Sequence, residues 1–171
     1  MKHKSLLIYS WLVFFLLRIL PDMPSIMRFR GHCYLFFTRN RVSDFQVSSD
    51  VVIRNLENIT IGNSVYLAPG VVINAVGDIH LGDEVMVGFN SVLNSGNHTI
   101  KGNSYRHGDK HILPIYIGSG SWVAANCTIT AGSNIGVCTL IAANSCYSGR
   151  SEDFSIYGGV PAVFIRYSKK C

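Results

Sequence analysis

Eleven of twelve successive hexads begin with an aliphatic residue, and a small residue follows at the second place of nearly every one. The first places are Ile61, Leu67, Ile73, Leu81, Val87, Leu93, Ile117, Val123, Ile129, Ile135 and Ile141, with Tyr147 the exception. A period of six fits neither the 3.6-residue helix nor the two-residue alternation of a half-buried strand. It is the repeat of a parallel β-helix, in which three hexads complete one triangular coil. Four places after nine of the eleven aliphatic residues stand Val65, Val71, Val85, Ser91, Ser121, Cys127, Ser133, Thr139 and Ser145, small or β-branched as a narrow interior demands. The second place (Gly62, Ala68, Asn74, Gly82, Gly88) is expected at a corner, where Gly and Asn tolerate positive φ. A β-sandwich is the competing reading, and it has no reason to hold one phase over so many hexads.

The frame slips twice. Two extra residues enter around Gly77-Asp78, which predicts one bulged corner. Between Leu93 and Ile117 the spacing predicts a long polar excursion over residues 99–116, with Lys101, Arg106, His107, Asp109, Lys110 and His111. Long loops thrown from a rigid scaffold are commonly functional.

Charge divides the chain further. Residues 1–41 hold seven basic residues and one acid, whereas the remaining 130 hold eight and nine. The basic residues lie within an apolar stretch, Leu6 to Leu20 ended by Pro21, and not along a polar face, which argues against nucleic acid. The stretch is short for a bilayer-spanning helix. Two readings of residues 1–22 remain: an interfacial helix drawn to anionic headgroups, giving peripheral membrane association, or a helix packed on the solenoid or on a partner subunit. The chain therefore divides into an apolar basic helical segment, 1–41, a β-helix domain, 42–167, and a short basic tail, 168–171. Five cysteines without a C-x-x-C pair suggest neither a disulfide framework nor a zinc clip, and fit a cytoplasmic protein, either free or at the inner face of the membrane.

His98 closes the hexad begun by Leu93, at the root of the excursion, where an imidazole can take a proton from an attacking hydroxyl. His80 falls at the bulged corner and reads as structural. His107 and His111 have i, i+4 spacing, but Gly108 and polar neighbours indicate a loop, and no metal is expected. A γ-carbonic-anhydrase type of zinc site needs several histidines on the coils, and only one is offered there.

Three motifs carry a resemblance: Asn97-His98 before the polar loop, Pro114-Ile-Tyr-Ile-Gly-Ser-Gly-Ser-Trp122-Val123 on the return, and Ile156-Tyr-Gly-Gly159-Val-Pro161-Ala162 at the exit. Residues 47–167 resemble the hexapeptide-repeat acyltransferases, in the branch of galactoside, xenobiotic and polysaccharide O-acetyltransferases. The resemblance implies an all-β fold, a left-handed parallel β-helix, and a homotrimer whose sites lie between subunits. It implies acetyl-CoA as acyl donor and His98 as general base in direct transfer. Asn97 and Trp122 would meet the acceptor. Ala125 matches the residue whose backbone N–H steadies the thioester oxygen, and Ala143 a small residue lining the pantetheine groove. Gly159 and Pro161 shape the exit turn beside that groove, and Arg166 and Lys169 would meet the nucleotide phosphates. Paired prolines usual before the exit turn are replaced by Ser151-Glu152-Asp153-Phe154. The apolar N-terminal segment is similar to that of enzymes of capsule, O-antigen or exopolysaccharide assembly, so the expected acceptor is a sugar hydroxyl in surface polysaccharide. Two alternatives stand beside it: a small hydroxylated acceptor such as an antibiotic or amino sugar, and a non-catalytic scaffold solenoid.

Overall fold

The computed structural model describes residues 3–38 and 40–168. Three parallel faces form a triangular prism. The first is built from Phe45–Val47, Val65–Leu67, Met86–Val87, Trp122–Val123, Leu140–Ile141 and Ser155–Gly159. The second stacks Val52–Arg54, Val72–Asn74, Val92–Asn94, Thr128–Thr130 and Cys146–Tyr147. The third stacks Ile59–Ile61, Ile79–Leu81, Ile115–Ile117 and Asn134–Ile135. All twelve hexad-leading residues are buried, and so are the nine at the fourth place beyond them. The repeat also begins earlier than the frame at Ile61, since Val47 and Ile53 fill the same interior positions one coil below.

Two interior hydroxyls bridge successive coils. Ser91 donates to Ala124 O at 2.7 Å and accepts from Cys127 N at 3.1 Å. Ser121 joins Gly136 O and Thr139 N in the same way, at 2.7 and 3.0 Å. Each hydroxyl thereby ties successive coils together and satisfies buried backbone groups that the corner leaves unpaired.

The corner expectation needs correction. Positive φ falls at the third place after the aliphatic residue, at Ser64, Glu84, Asn90, Asn126, Cys138 and Asn144 and at Gly70, Gly120 and Gly132, and at none of the second-place glycines. The second place is small for a different reason. A Cβ on Gly88 would stand 2.8 Å from the carbonyl carbon of Ala124, and one on Gly118 would stand 2.7 Å from that of Gly136. Stacking of the next coil's backbone, rather than turn geometry, excludes a side chain there.

Two helices close the base of the prism, α1 (His3–Leu17) and α2 (Pro24–Leu35). Val13, Tyr34 and Leu35 join the solenoid's core, and Tyr34 donates its hydroxyl to Val51 O at 3.2 Å. Arg30, 1% exposed, clamps the junction: its guanidinium reaches Asp22, Val47 O, Leu17 O and Leu20 O. Asn40 protects the open edge of the third face, donating to Ile59 O and accepting from Ile61 N, both at 2.9 Å. The inner side of residues 3–38 is thus packed on the solenoid. Ile8, Trp11, Leu12, Phe15 and Leu16 of α1 remain exposed. Among the described residues no helix is long and apolar enough to cross a membrane. At the far end, Ala162–Tyr167 turns back antiparallel on Ser155–Gly159, and Tyr157 packs edge-on against Tyr147 and Phe164. Tyr147 fits an aliphatic slot because that last coil is closed by an aromatic ring.

Candidate active site

The excursion is narrower and more ordered than expected. Ile115 and Tyr116 belong to the third face, and residues 96–112 form an antiparallel hairpin with Gly96–His98 as one arm and Lys110–Ile112 as the other. The hairpin leaves the corner between the second and third faces. The same corner carries the Gly77 bulge one level down and the Leu56–Asn58 turn at the level below that, so three successive coils widen at one place. Gly77 is held there by Ser95, whose hydroxyl donates to Gly77 O at 2.8 Å and accepts from Gly77 N at 2.9 Å. Gly108 lets the arms close: a Cβ on it would stand 1.6 Å from Thr99 O.

His98 is exposed at the end of its arm, directly opposite Lys110, and Asn97 is opposite His111. The His98 ring has no hydrogen-bond partner among the described residues. Directly opposed residues on antiparallel strands have Cβ atoms about 5 Å apart, so Lys110 is the cross-strand neighbour of His98. Lys110 was not legible from the repeat, because hairpin register lies outside the six-residue period. His107 is on the turn side of the hairpin; among the described residues no group of three or more His, Cys, Asp or Glu gathers to hold a metal. His80 lies in the third face, its ring stacked on Tyr116 at 4.6 Å.

The cofactor-site candidates assemble elsewhere, at the corner between the first and second faces. There Ala124-Ala125 lies above Gly88-Phe89 and below Ala142-Ala143, with Gly158-Gly159 at the end. Asn144 N donates to Ala125 O at 2.9 Å and Ala142 N to Tyr157 O at 2.8 Å, which fixes the stack. The N–H groups of Phe89, Ala125 and Ala143 have no acceptor among the described residues. At the corner between the third and first faces three of the four equivalent donors are filled, Asn63 N by Asp83, Asp83 N by Ser119 and Val137 N by Asp153, which leaves only Ser119 N without an acceptor among the described residues. Coils repeat at about 4.8 Å, so this corner stacks three free donors in one column, two of them at alanines small enough for a ligand to reach backbone. Ala125, Ala143, Gly159 and Pro161 all belong to that column or its end, and Phe89 is a member the motifs did not identify. The hexad frame contained the signal, since Pro69, Phe89, Ala125 and Ala143 share one place in it.

Trp122, 45% exposed, stands on the first face three residues before Ala125, in register with Met86 and Leu140. Arg166 pairs with Ile156 in the continuation of that row and is separate from the column. Lys169 lies outside the described residues. Within one chain, then, Trp122 and the donor column come together, whereas Asn97 and His98 leave the prism at another corner.

No family model matches the chain. The galactoside O-acetyltransferase of Escherichia coli (strain K12) is 28% identical over 109 residues, 64% of this chain and 54% of that protein. The chain therefore spans about half the length of the curated relative it matches. A hexapeptide-repeat-containing acetyltransferase of Vibrio cholerae O1 biovar eltor, solved with acetyl coenzyme A, superposes with a TM-score of 0.85 at 20% identity, covering 98% of this chain and 89% of that one. A maltose O-acetyltransferase from Clostridium difficile 630 gives a TM-score of 0.85 at 20% identity over 97% and 88%. The chain has the left-handed β-helix fold of these hexapeptide-repeat acetyltransferases and is similar in sequence to galactoside O-acetyltransferase over about half that protein's length.

Proposed function

We propose that the protein is an acetyl-CoA-dependent O-acetyltransferase that modifies a sugar hydroxyl in surface polysaccharide. The column of unsatisfied backbone N–H groups at Phe89, Ala125 and Ala143 carries this reading, since an acyl thioester and its amide-bearing arm need donors in that arrangement. The 28% identical relative, a galactoside O-acetyltransferase, supports the acceptor class, and the acetyl-CoA complex of the Vibrio cholerae protein supports the donor.

The chemistry follows from the side chains present. His98 takes the proton of the acceptor hydroxyl as its oxygen attacks the thioester carbonyl. The Ala125 N–H donates to the oxygen that becomes negative, and it costs no reorganisation because it is fixed by the coil stack. Collapse breaks the C–S bond, and the departing thiolate recovers the proton from the imidazolium. His98 and Ala125 sit at two different corners, so the reading requires a homotrimer in which one protomer's hairpin reaches the donor column of the next.

Thiol release from acetyl-CoA in the presence of a panel of sugars tests the proposal. His98→Ala should lower transfer by roughly two to four orders of magnitude while leaving CoA binding intact. Full activity in that variant would sink the base assignment, and absence of CoA binding by the unaltered protein would favour a scaffold.

A further inference from the structure

Two depressions lie side by side along the base of the prism, and the second reaches the hairpin. The first is an apolar groove between α1 and the edge strand Val52–Arg54, lined by Leu7, Trp11, Phe14, Val52 and Ile53. The second is a polar cleft beneath the hairpin, lined by Arg54, Asn55, Asn58, Asn74 and Lys110. Leu7 and Arg54 line both, so the groove and the cleft adjoin. Lys110 in turn is the residue opposite His98.

The charges in the cleft are selective. His3 and Glu57, also at its wall, are hydrogen-bonded to each other. Arg54 and Lys110 have no acidic or hydrogen-bonding side-chain partner among the described residues. Two unpaired cations therefore stand between an apolar trough and an imidazole. A guanidinium and an ammonium converging on a cleft suit a phosphate, and apolar surface left open beside them suits a hydrocarbon chain.

We propose that this pair of depressions binds a glycan carried on a lipid phosphate, with the tail along α1, the phosphate between Arg54 and Lys110, and the sugar at His98. The inference rests on the acetyltransferase reading for the sugar end only. It narrows the acceptor from sugars in general to amphiphiles, and it gives α1 a role in acceptor choice beyond closing the prism.

Farnesyl phosphate, used below its micellar concentration and without acetyl-CoA, is the probe. The chain has two tryptophans, so Trp122→Phe leaves Trp11 as the sole indole reporter in the groove. Farnesyl phosphate should give a saturable blue shift, farnesol should bind about tenfold more weakly, and inorganic phosphate should give no shift. Adding R54Q and K110Q should reduce farnesyl phosphate to the farnesol level with the thermal midpoint unchanged. Equal affinity for farnesol and its phosphate, or indifference to the two substitutions, overturns the proposal. A response to phosphatidylglycerol vesicles but not to monomeric farnesyl phosphate also overturns it, making the groove a bilayer contact. A protein that acetylates free sugars yet ignores farnesyl phosphate sinks this proposal alone. One that binds farnesyl phosphate but never transfers acetyl keeps the site and loses the enzyme reading.

Discussion

Tyr147 occupies a position where the repeat asks for an aliphatic side chain, and the consequence is chemical as well as steric. It is 1% exposed, and burial pushes its phenol up to about 12. Tyr34 is shifted in the same direction, again chiefly by burial. An unfolded chain would ionise both near 10.0, so between 10 and about 12 the unfolded state binds fewer protons than the folded one. Stability is therefore intact below pH 10 and falls as pH rises through the folded-state value. Urea midpoints measured from pH 9 upward should show that decline, and Tyr147→Phe, which cannot ionise, should make it shallower without a comparable change at pH 8. A decline of unchanged steepness would mean that the phenol is not protected. The neighbouring lesson concerns glycine. Gly88 and Gly118 were recognisable as special from the repeat, but their reason was not, because a turn and a close backbone approach call for the same residue. Only the 2.8 and 2.7 Å approaches of the next coil separate the two.

The hairpin is the element on which the proposed chemistry depends, and it is held by few contacts. Its closure requires Gly108, against which Thr99 O lies, while Thr99 donates both N–H and hydroxyl to Asp109 O at 3.0 and 2.8 Å. Gly108→Ala cannot fit without moving the arms apart. Because the prism's core lies elsewhere, the thermal midpoint should shift little, while acetyl transfer should fall by at least about tenfold as His98 loses its position. A large drop in thermal stability with normal specific activity would contradict that assignment. The same element marks the boundary of what sequence can convey. The break in the hexad frame located the excursion and put His98 at its root, since a strict period makes an interruption visible. It could not reveal that Gly96–His98 pairs with Lys110–Ile112, because that pairing is non-local and its register is set by the turn. Lys110 beside His98 was therefore hidden, as was the return to the third face at Ile115. The first coil escaped notice for a related reason: Val47 and Ile53 keep the period, but the Leu56–Asn58 turn separates them from Ile61 by an irregular step.

At the scale of the whole molecule, the prism separates the parts of the proposed reaction. The donor column at Phe89, Ala125 and Ala143 and the hairpin with His98 stand at opposite ends of the second face. A rigid solenoid cannot fold one onto the other, since each coil is locked to its neighbours by ladder bonds and by the Ser91 and Ser121 bridges. In the proposed mechanism juxtaposition comes from a second copy, and a ring closed by a heterologous contact would place every hairpin beside a neighbour's column. That geometry has a test independent of any acceptor's identity. Ala143→Phe should block the column and abolish CoA binding, leaving the hairpin intact, while His98→Ala does the reverse. Each variant alone should be nearly inactive. Chains of the two kinds, unfolded together and refolded in equal amounts, form interfaces at random. A site is whole only where a His98-bearing hairpin from the first variant meets an unblocked column from the second. About a quarter of the interfaces satisfy that condition, so activity should recover to about a quarter of the unaltered protein's. A mixture no more active than its two components would mean that each site is built within one chain, and the separation of His98 from Ala125 would then have to be bridged by movement of the hairpin itself.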